Sequence, residues 1–177
     1  DMTYPIYRNG TIGRAKEHLE KISEIISKKL QSTCGGSAFV SVNKGLVTQA
    51  SSAIPVVPLY ISLLYKVMKE KNLHEGCIEQ IWRLYTERLY IDKDETPVDS
   101  EKRIRIDDWE LQSDIQQEVA KLWNDVTTTN IDAISDISGY RKEFFGLFGF
   151  DVDGIDYTKD VNIELEMPSA LKAAAAQ

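Results

Sequence analysis

The chain has 177 residues, 42% of them hydrophobic and 28% charged, enough to bury a core and form one domain. A net charge of −7, a pI near 4.9 and the lack of any basic, aromatic-rich patch exclude nucleic acid as a main partner. There is no signal peptide pattern, the apolar stretch Ala53–Leu64 is too short and proline-broken to make a membrane span, and Cys34 and Cys77, without CxxC spacing, read as reduced thiols of a cytoplasmic protein.

In chain order, the first feature is a tyrosine and a lysine nine positions apart, Tyr7 and Lys16, with Gly10 and Gly13 between them. Across nine residues of unbroken helix the two side chains would point roughly half a turn apart, at about 100° per residue. They converge only if the helix breaks. Gly10 supplies the break, and Thr11 is the expected N-cap of a helix over Ile12 to about Gln31. Its apolar stripe is Ile12, Ala15, Leu19, Ile22, Ile26 and Leu30. A lysine near a phenol favours the phenolate and makes the hydroxyl a better proton donor at neutral pH. Taken alone, the pair is also what a surface tyrosine and a solvated lysine look like.

Cys34-Gly-Gly-Ser37 ends the helix, and Ala38–Val42 is the one clear strand. A single strand cannot stand alone, so the rest of its sheet is expected outside this chain. Thr48–Ile54 is small and polar. Pro55 and Pro58 then frame a long helix, apolar almost all round at Leu59, Ile61, Leu63, Leu64 and Val67, and therefore buried. A helix from His74 to about Tyr90 carries Ile78, Ile81, Trp82, Tyr85 and Leu89 on one face. Asp92–Glu101 reads as a charged loop, Asp107-Asp108 as the start of a helix over Trp109–Val126, and Ile137–Phe148 as the last helix, stopped by Gly149. The segment from Asp151 reads as irregular, and the alanine-rich end as a tail.

Three patterns carry no metal reading. His74-Glu75 lacks the second histidine of HExxH, since Ile78 stands there. Asp151-Val-Asp153-Gly154 has its glycine at position four of a calcium loop rather than six. Trp82, Trp109 and Trp123 have aliphatic neighbours at helical spacing and read as core. The run Gly45–Ser52 directly follows the strand. Ligands of open α/β sheets bind outside the carboxyl ends of strands, where backbone amides and the Thr48 and Ser51 hydroxyls suit a carboxamide or phosphate. An ordinary strand-to-helix connection would look the same.

Taken together, several of these segments resemble a known family. They are Tyr7-Arg-Asn-Gly-Thr-Ile-Gly-Arg-Ala-Lys16, Val40-Ser-Val-Asn-Lys-Gly-Leu-Val-Thr-Gln-Ala-Ser-Ser-Ala-Ile-Pro-Val-Val-Pro-Leu-Tyr60, Tyr65–Lys71, His74–Gln80 and Arg103–Glu110. They look like trans-2-enoyl-CoA reductase, the NADH-dependent family that includes the FabV-type enoyl-acyl-carrier-protein reductases. The resemblance runs to about Asp160, and the segment from Glu164 departs from it. It implies an α/β, Rossmann-type, short-chain-reductase-like NAD-binding fold. This chain would be its mostly helical C-terminal part, with about one core strand, over residues 1–160, followed by a tail over 161–177.

The resemblance also implies a chemistry, NADH reduction of the trans-2 double bond of an enoyl-CoA or enoyl-ACP thioester. In it, Tyr7 donates the proton and Lys16 holds the nicotinamide ribose. Leu46, Val47 and Thr48 contact the cofactor, while Tyr60, Ile61, Leu64 and Tyr65 line or support the acyl channel. The glycine-rich dinucleotide loop of the family is missing here, so the N-terminal half is an implied partner, as a separate chain or segment. A homo-oligomer is a further possibility. Two alternatives remain at this point: a non-catalytic helical docking fragment, or a carbonyl reductase using the same pair.

Overall fold

A computed structural model describes residues 3–90 and 96–161. Its elements are α1 (Tyr4–Tyr7), α2 (Thr11–Cys34), β1 (Val40–Val42), α3 (Gln49–Ser52), α4 (Val57–Glu70) and α5 (Cys77–Leu84), which runs into a π-helical turn at Tyr85–Leu89. They continue with β2 (Arg103–Arg105), α6 (Ser113–Asp125), α7 (Ile131–Ile134) and α8 (Ile137–Gly146). The beginning of the charged loop, with residues 91–95, and the tail beyond 161 lie outside the described residues.

Helix α4 is the axis of the molecule. Its sequence is apolar on every side, and Val57, Ile61, Ser62, Leu63, Leu64, Tyr65, Val67 and Met68 are all buried. Pro58 sits in the first turn, where a missing N–H breaks no helical bond. One side of α4 packs on α6: Leu63, Leu64, Val67 and Met68 meet Ile115 and Val119, flanked by Trp109, Leu122 and Trp123. The other side meets α8 and the start of the chain: Val57, Ile61 and Tyr65 join Val47 and Tyr140, with Tyr7, Tyr60 and Phe144 packed against them. Each fully buried Leu, Ile, Val or Met contributes roughly 1.5–3 kcal/mol.

Two strands are present among the described residues, where the sequence predicts one. β2 pairs with β1 in parallel, in the register Val40↔Arg103, Ser41↔Ile104, Val42↔Arg105. The pairing extends one step further, as the N–H groups of Ile106 and Asp107 both donate to Val42 O at 2.9 and 3.1 Å. Ile104 and Ile106 are buried, while Arg103 and Arg105 turn to Asp99 and Asp107. Asp107 and Asp108 therefore neutralise arginines rather than open a helix, and α6 begins at Ser113.

Helix α5 is turned the opposite way from its periodicity. Ile78 is 78% exposed and Trp82 71%, with Ile81 and Tyr85 also exposed, while Gln80 and Arg83 are buried. Arg83 explains the inversion. Its guanidinium makes a two-pronged bond to Glu75 at 2.8 and 2.7 Å, a third to Asp108 at 2.7 Å and a fourth to the Ile106 carbonyl, and it lies 4.3 Å from the Trp109 ring. Trp82 is thus a surface residue, and only Trp109 and Trp123 pack on the core. Leu19, Ile22 and Ile26, on the stripe of α2, are exposed as well.

Candidate active site

The break in the N-terminal helix is built from two glycines. Helix α1 ends at Tyr7, α2 starts at Thr11, and Gly10 rather than Thr11 occupies the N-cap. A Cβ on Gly10 would lie 2.5 Å from Ile6 O, and one on Gly13 only 1.7 Å from Arg8 O. No side chain fits at either place, so the sharp approach of the two helices requires glycine at both. The turn brings Tyr7, half-buried, onto the cluster of Val47, Val57, Ile61, Tyr65 and Tyr140. Lys16 stands in the second turn of α2, exposed and in neither apolar cluster. Its i+4 neighbour Glu20 is engaged elsewhere, by Arg103 at 3.3 Å.

The segment leaving β1 is suspended by side chains from other elements. Lys44 N–H donates to Gln80 Oε1 of α5 (2.8 Å), Gly45 N–H to Glu110 Oε2 (2.8 Å) and Val47 N–H to Tyr65 Oη of α4 (3.2 Å). Thr48 then caps α3 reciprocally: Ser51 N–H donates to its Oγ1 at 3.0 Å, and its own N–H donates to Ser51 Oγ at 2.8 Å. Ser51 Oγ–H in turn donates to Leu46 O at 2.9 Å. The amides of Val47 and Thr48, candidate donors to a ligand on sequence grounds, are therefore already taken up, by Tyr65 of α4 and by Ser51. The exposed Thr48 hydroxyl keeps its hydrogen for an outside acceptor.

Four tyrosines meet around Val47, and their hydroxyls differ. Tyr60 donates to Glu110 Oε1 (2.5 Å), Tyr65 to Glu143 Oε2 (2.9 Å). Burial, and then the adjoining carboxylate, push both phenols well above the ordinary tyrosine value. Neither proton is available for transfer. Tyr140 Oη is buried without a partner among the described residues. Sequence reading missed this group. Its signal was the spacing Ile137–Tyr140–Phe144 on α8.

Ile61 and Leu64 are almost fully buried, Leu64 in the α4–α6 core, so they sit behind the surface rather than on it. Lys44 is 3% exposed, and burial lowers its ammonium to about 8, with Glu110 and Glu143 opposing the shift. The His74 imidazole, edge-on to Tyr65 with centroids 4.4 Å apart, is lowered to about 4 by burial and then by Lys44 and Lys69. In the Asp151–Asp156 segment, Asp153 is held by Lys142 at 2.8 Å and Asp156 accepts from Thr158 at 2.6 Å.

A tyrosine set beside the loop at the end of a parallel strand, with an exposed lysine on the following helix, is a set of residue types that an oxidoreductase uses at an electron-poor double bond or carbonyl. Comparison with known proteins narrows it. Residues 1–90 match the family described as trans-2-enoyl-CoA reductase catalytic region, and residues 98–161 match one described as enoyl reductase FAD binding domain. The chain belongs to the trans-2-enoyl-CoA reductase family.

The enoyl-[acyl-carrier-protein] reductase [NADH] of Coxiella burnetii is 60% identical over 96% of this chain and 41% of its own length. That of Flavobacterium johnsoniae is 59% identical over 92% of this chain and 40% of its own. The crystal structure of the Clostridium acetobutulicum trans-2-enoyl-CoA reductase in complex with NADH superimposes with a TM-score of 0.87 at 52% identity. It covers 92% of this chain and 40% of that one. The Treponema denticola enzyme in complex with NAD gives 0.82 at 55%, covering 90% and 39%. The chain thus spans about two-fifths of the length of these relatives.

The donors present are of the kind the nicotinamide end of a dinucleotide takes. The Tyr7 phenol packs on the cluster that holds the Tyr140 hydroxyl, unpartnered among the described residues, while the Thr48 hydroxyl and the Lys16 ammonium are exposed. The sequence has no G-x-G-x-x-G run for a pyrophosphate. Residues 98–161, the segment matched to the family with the flavin name, pack as part of the same core. Their buried apolar groups fill the α4 core, and their buried charges are paired with one another, with Arg83 or with Tyr60.

Proposed function

We propose that residues 1–160 are the C-terminal catalytic and substrate-binding part of a cytoplasmic, NADH-dependent reductase of trans-2-enoyl thioesters carried on CoA or acyl-carrier protein. Its Rossmann-type sheet is completed by the N-terminal portion that the relatives possess. The reading is carried by one observation: the two-glycine break delivers Tyr7, half-buried, beside the strand-end loop, whereas the Tyr60 and Tyr65 protons are held by Glu110 and Glu143 and Tyr140 is buried.

NADH, when bound, supplies the hydride that reduces C3 of the enoyl group. Negative charge then gathers on the thioester oxygen. The Tyr7 hydroxyl donates a hydrogen bond to that oxygen and delivers the proton that completes the saturated product, with solvent restoring the phenol. Lys16 donates to the nicotinamide ribose. Val47 and the Thr48 hydroxyl form the wall against the nicotinamide. Tyr60, fixed by Glu110 and Gln116, shapes the acyl side, with Ile61 and Leu64 supporting it from within.

The test is Tyr7→Phe in the reductase that carries this chain, assayed with a short trans-2-enoyl-CoA and NADH. Because the phenol acts where charge develops, kcat falls about 10²–10⁴-fold while KM changes little. A variant keeping more than about half of wild-type kcat removes Tyr7 from the proton-donor role.

A further inference from the structure

We propose that Tyr65 is a positioning residue for the cofactor loop: its hydroxyl, anchored to Glu143, accepts the Val47 N–H and thereby sets the Leu46–Thr48 turn that meets the nicotinamide. This rests on the reductase reading above but reassigns Tyr65 from the acyl channel to the cofactor side.

Three features carry it. First, the turn is held from outside itself. Backbone pairing ends near Val42, and the N–H groups of Lys44, Gly45 and Val47 pass to Gln80, Glu110 and Tyr65, on three different segments of the fold. Of these, Tyr65 bonds nearest the residues that face the cofactor. Second, the polarity of the relay is fixed. Glu143 accepts the Tyr65 proton at 2.9 Å, so the phenol oxygen presents its lone pair to Val47 N–H at 3.2 Å. Burial and the Glu143 charge both keep the phenol protonated, which preserves that direction.

Third, the ring is immobilised. Tyr65 is 0% exposed, with the His74 ring edge-on at 4.4 Å, Lys44 Nζ 4.6 Å and Lys69 Nζ 5.0 Å from the ring centroid. Two cations on an aromatic ring and an edge-on neighbour restrict it to one orientation. A side chain this buried touches no substrate. Its contact with the site runs through the Val47 amide.

The test uses Tyr65→Phe in the complete reductase, which keeps the ring and removes only the hydroxyl. Val119→Ala in the α4–α6 core serves as a comparison that is destabilised without touching the loop. Three quantities are read: hydrogen exchange at the Val47 amide in cofactor-free protein, the NADH dissociation constant from nicotinamide fluorescence, and KM for the enoyl thioester. Losing the partner of one buried donor weakens NADH binding about tenfold or more. Val47 exchange rises in Tyr65→Phe and not in Val119→Ala, and thioester KM stays near wild type.

If Val47 exchange and NADH affinity are unchanged in Tyr65→Phe, the positioning role is refuted. An equal weakening of NADH and thioester binding in both variants refutes it as well, because that is general loosening. A wild-type enzyme that binds NADH but reduces no thioester refutes the function while the loop comparison still stands. A wild type that does not bind NADH overturns both.

Discussion

Replacing Gly13 by alanine sets two effects of known sign against each other. Alanine favours a helix over glycine by up to about 1 kcal/mol. Against this, the new Cβ would sit 1.7 Å from Arg8 O, 2.5 Å from Arg8 C and 2.9 Å from Arg8 Cα, where ordinary contact begins near 3.4 Å. All three atoms are backbone, so no side chain can rotate away. The Arg8–Gly10 turn must move by roughly 1.7 Å, the difference between the ordinary and the built distance.

Overpacking of this kind costs about 1–3 kcal/mol, so with the full helix gain set against it the net loss is about 0–2. For a chain of this size that lowers Tm by at most about 8 °C. Activity suffers more than stability. Tyr7 directly precedes the turn that moves and is carried with it, and a displacement of about 1 Å at a reacting group costs about 100-fold in rate. Calorimetry and steady-state NADH oxidation of the complete enzyme read the two effects. Gly146→Ala in α8, where a Cβ meets nothing within 4 Å, is the control: it adds the helix gain alone, so Tm is the same or slightly higher and activity is unchanged. A Gly13→Ala enzyme with wild-type Tm and more than a tenth of wild-type kcat would falsify the steric account of the break.

Lys16→Met weakens NADH binding and slows turnover with little change in Tm, because the side chain is exposed and packs in neither core cluster. Unchanged NADH affinity and kcat would make Lys16 a surface lysine. Arg83→Met leaves Glu75, 7% exposed in its side chain, without its partner, and should lower unfolding free energy by about 3–5 kcal/mol in urea titration. A loss below about 1 kcal/mol would mean that the buried pair is not needed.

His74 titrates near 4 in the fold and near 6.5 when unfolded. The unfolded chain therefore binds the extra proton first, and stability is lost as pH falls from about 6.5 towards 4. Urea titrations across that window should show a steeper acid loss for wild type than for His74→Gln. Parallel curves would refute the buried neutral imidazole.

Periodicity gave the helices well where one face, or every face, had to be covered. The apolar run of α4 and the glycine break before α2 could be read directly. For α5 it marked the apolar face, but in this chain that face is exposed and the covered one carries Arg83, held by Glu75 and Asp108, groups 8 and 25 residues away in sequence. Periodicity marks an apolar stripe and says nothing of what lies against it, as exposed Trp82 and Leu19 show.

Strand β2 escaped notice for a related reason. Arg103-Ile-Arg-Ile106 does alternate, but it is short and its outward residues are charged, so only Asp99 and Asp107 nearby make it tolerable. At the site, Tyr7 and the loop after β1 could be picked out from residue type and spacing. Which phenol keeps its proton could not, since Glu110 and Glu143, the acceptors for Tyr60 and Tyr65, are 50 and 78 residues away.

The parallel pairing of β1 with β2 also fixes an order of events during folding. Val40 must find Arg103 across a crossover that contains α3, α4 and α5. Closing so long a loop has an entropic penalty that local helix formation does not, and contacts of this range form slowly. Helices α4 and α5 can form early by themselves, but the strand end at Val42 is not fixed until Ile106 and Asp107 donate to its carbonyl. The turn at Leu46–Thr48 hangs from that strand and from Glu110, which lies beyond β2. On a ribosome, the loop beside Tyr7 is therefore assembled only after residue 110 has emerged, and a chain stalled before that point has its tyrosine but no finished wall to set it against.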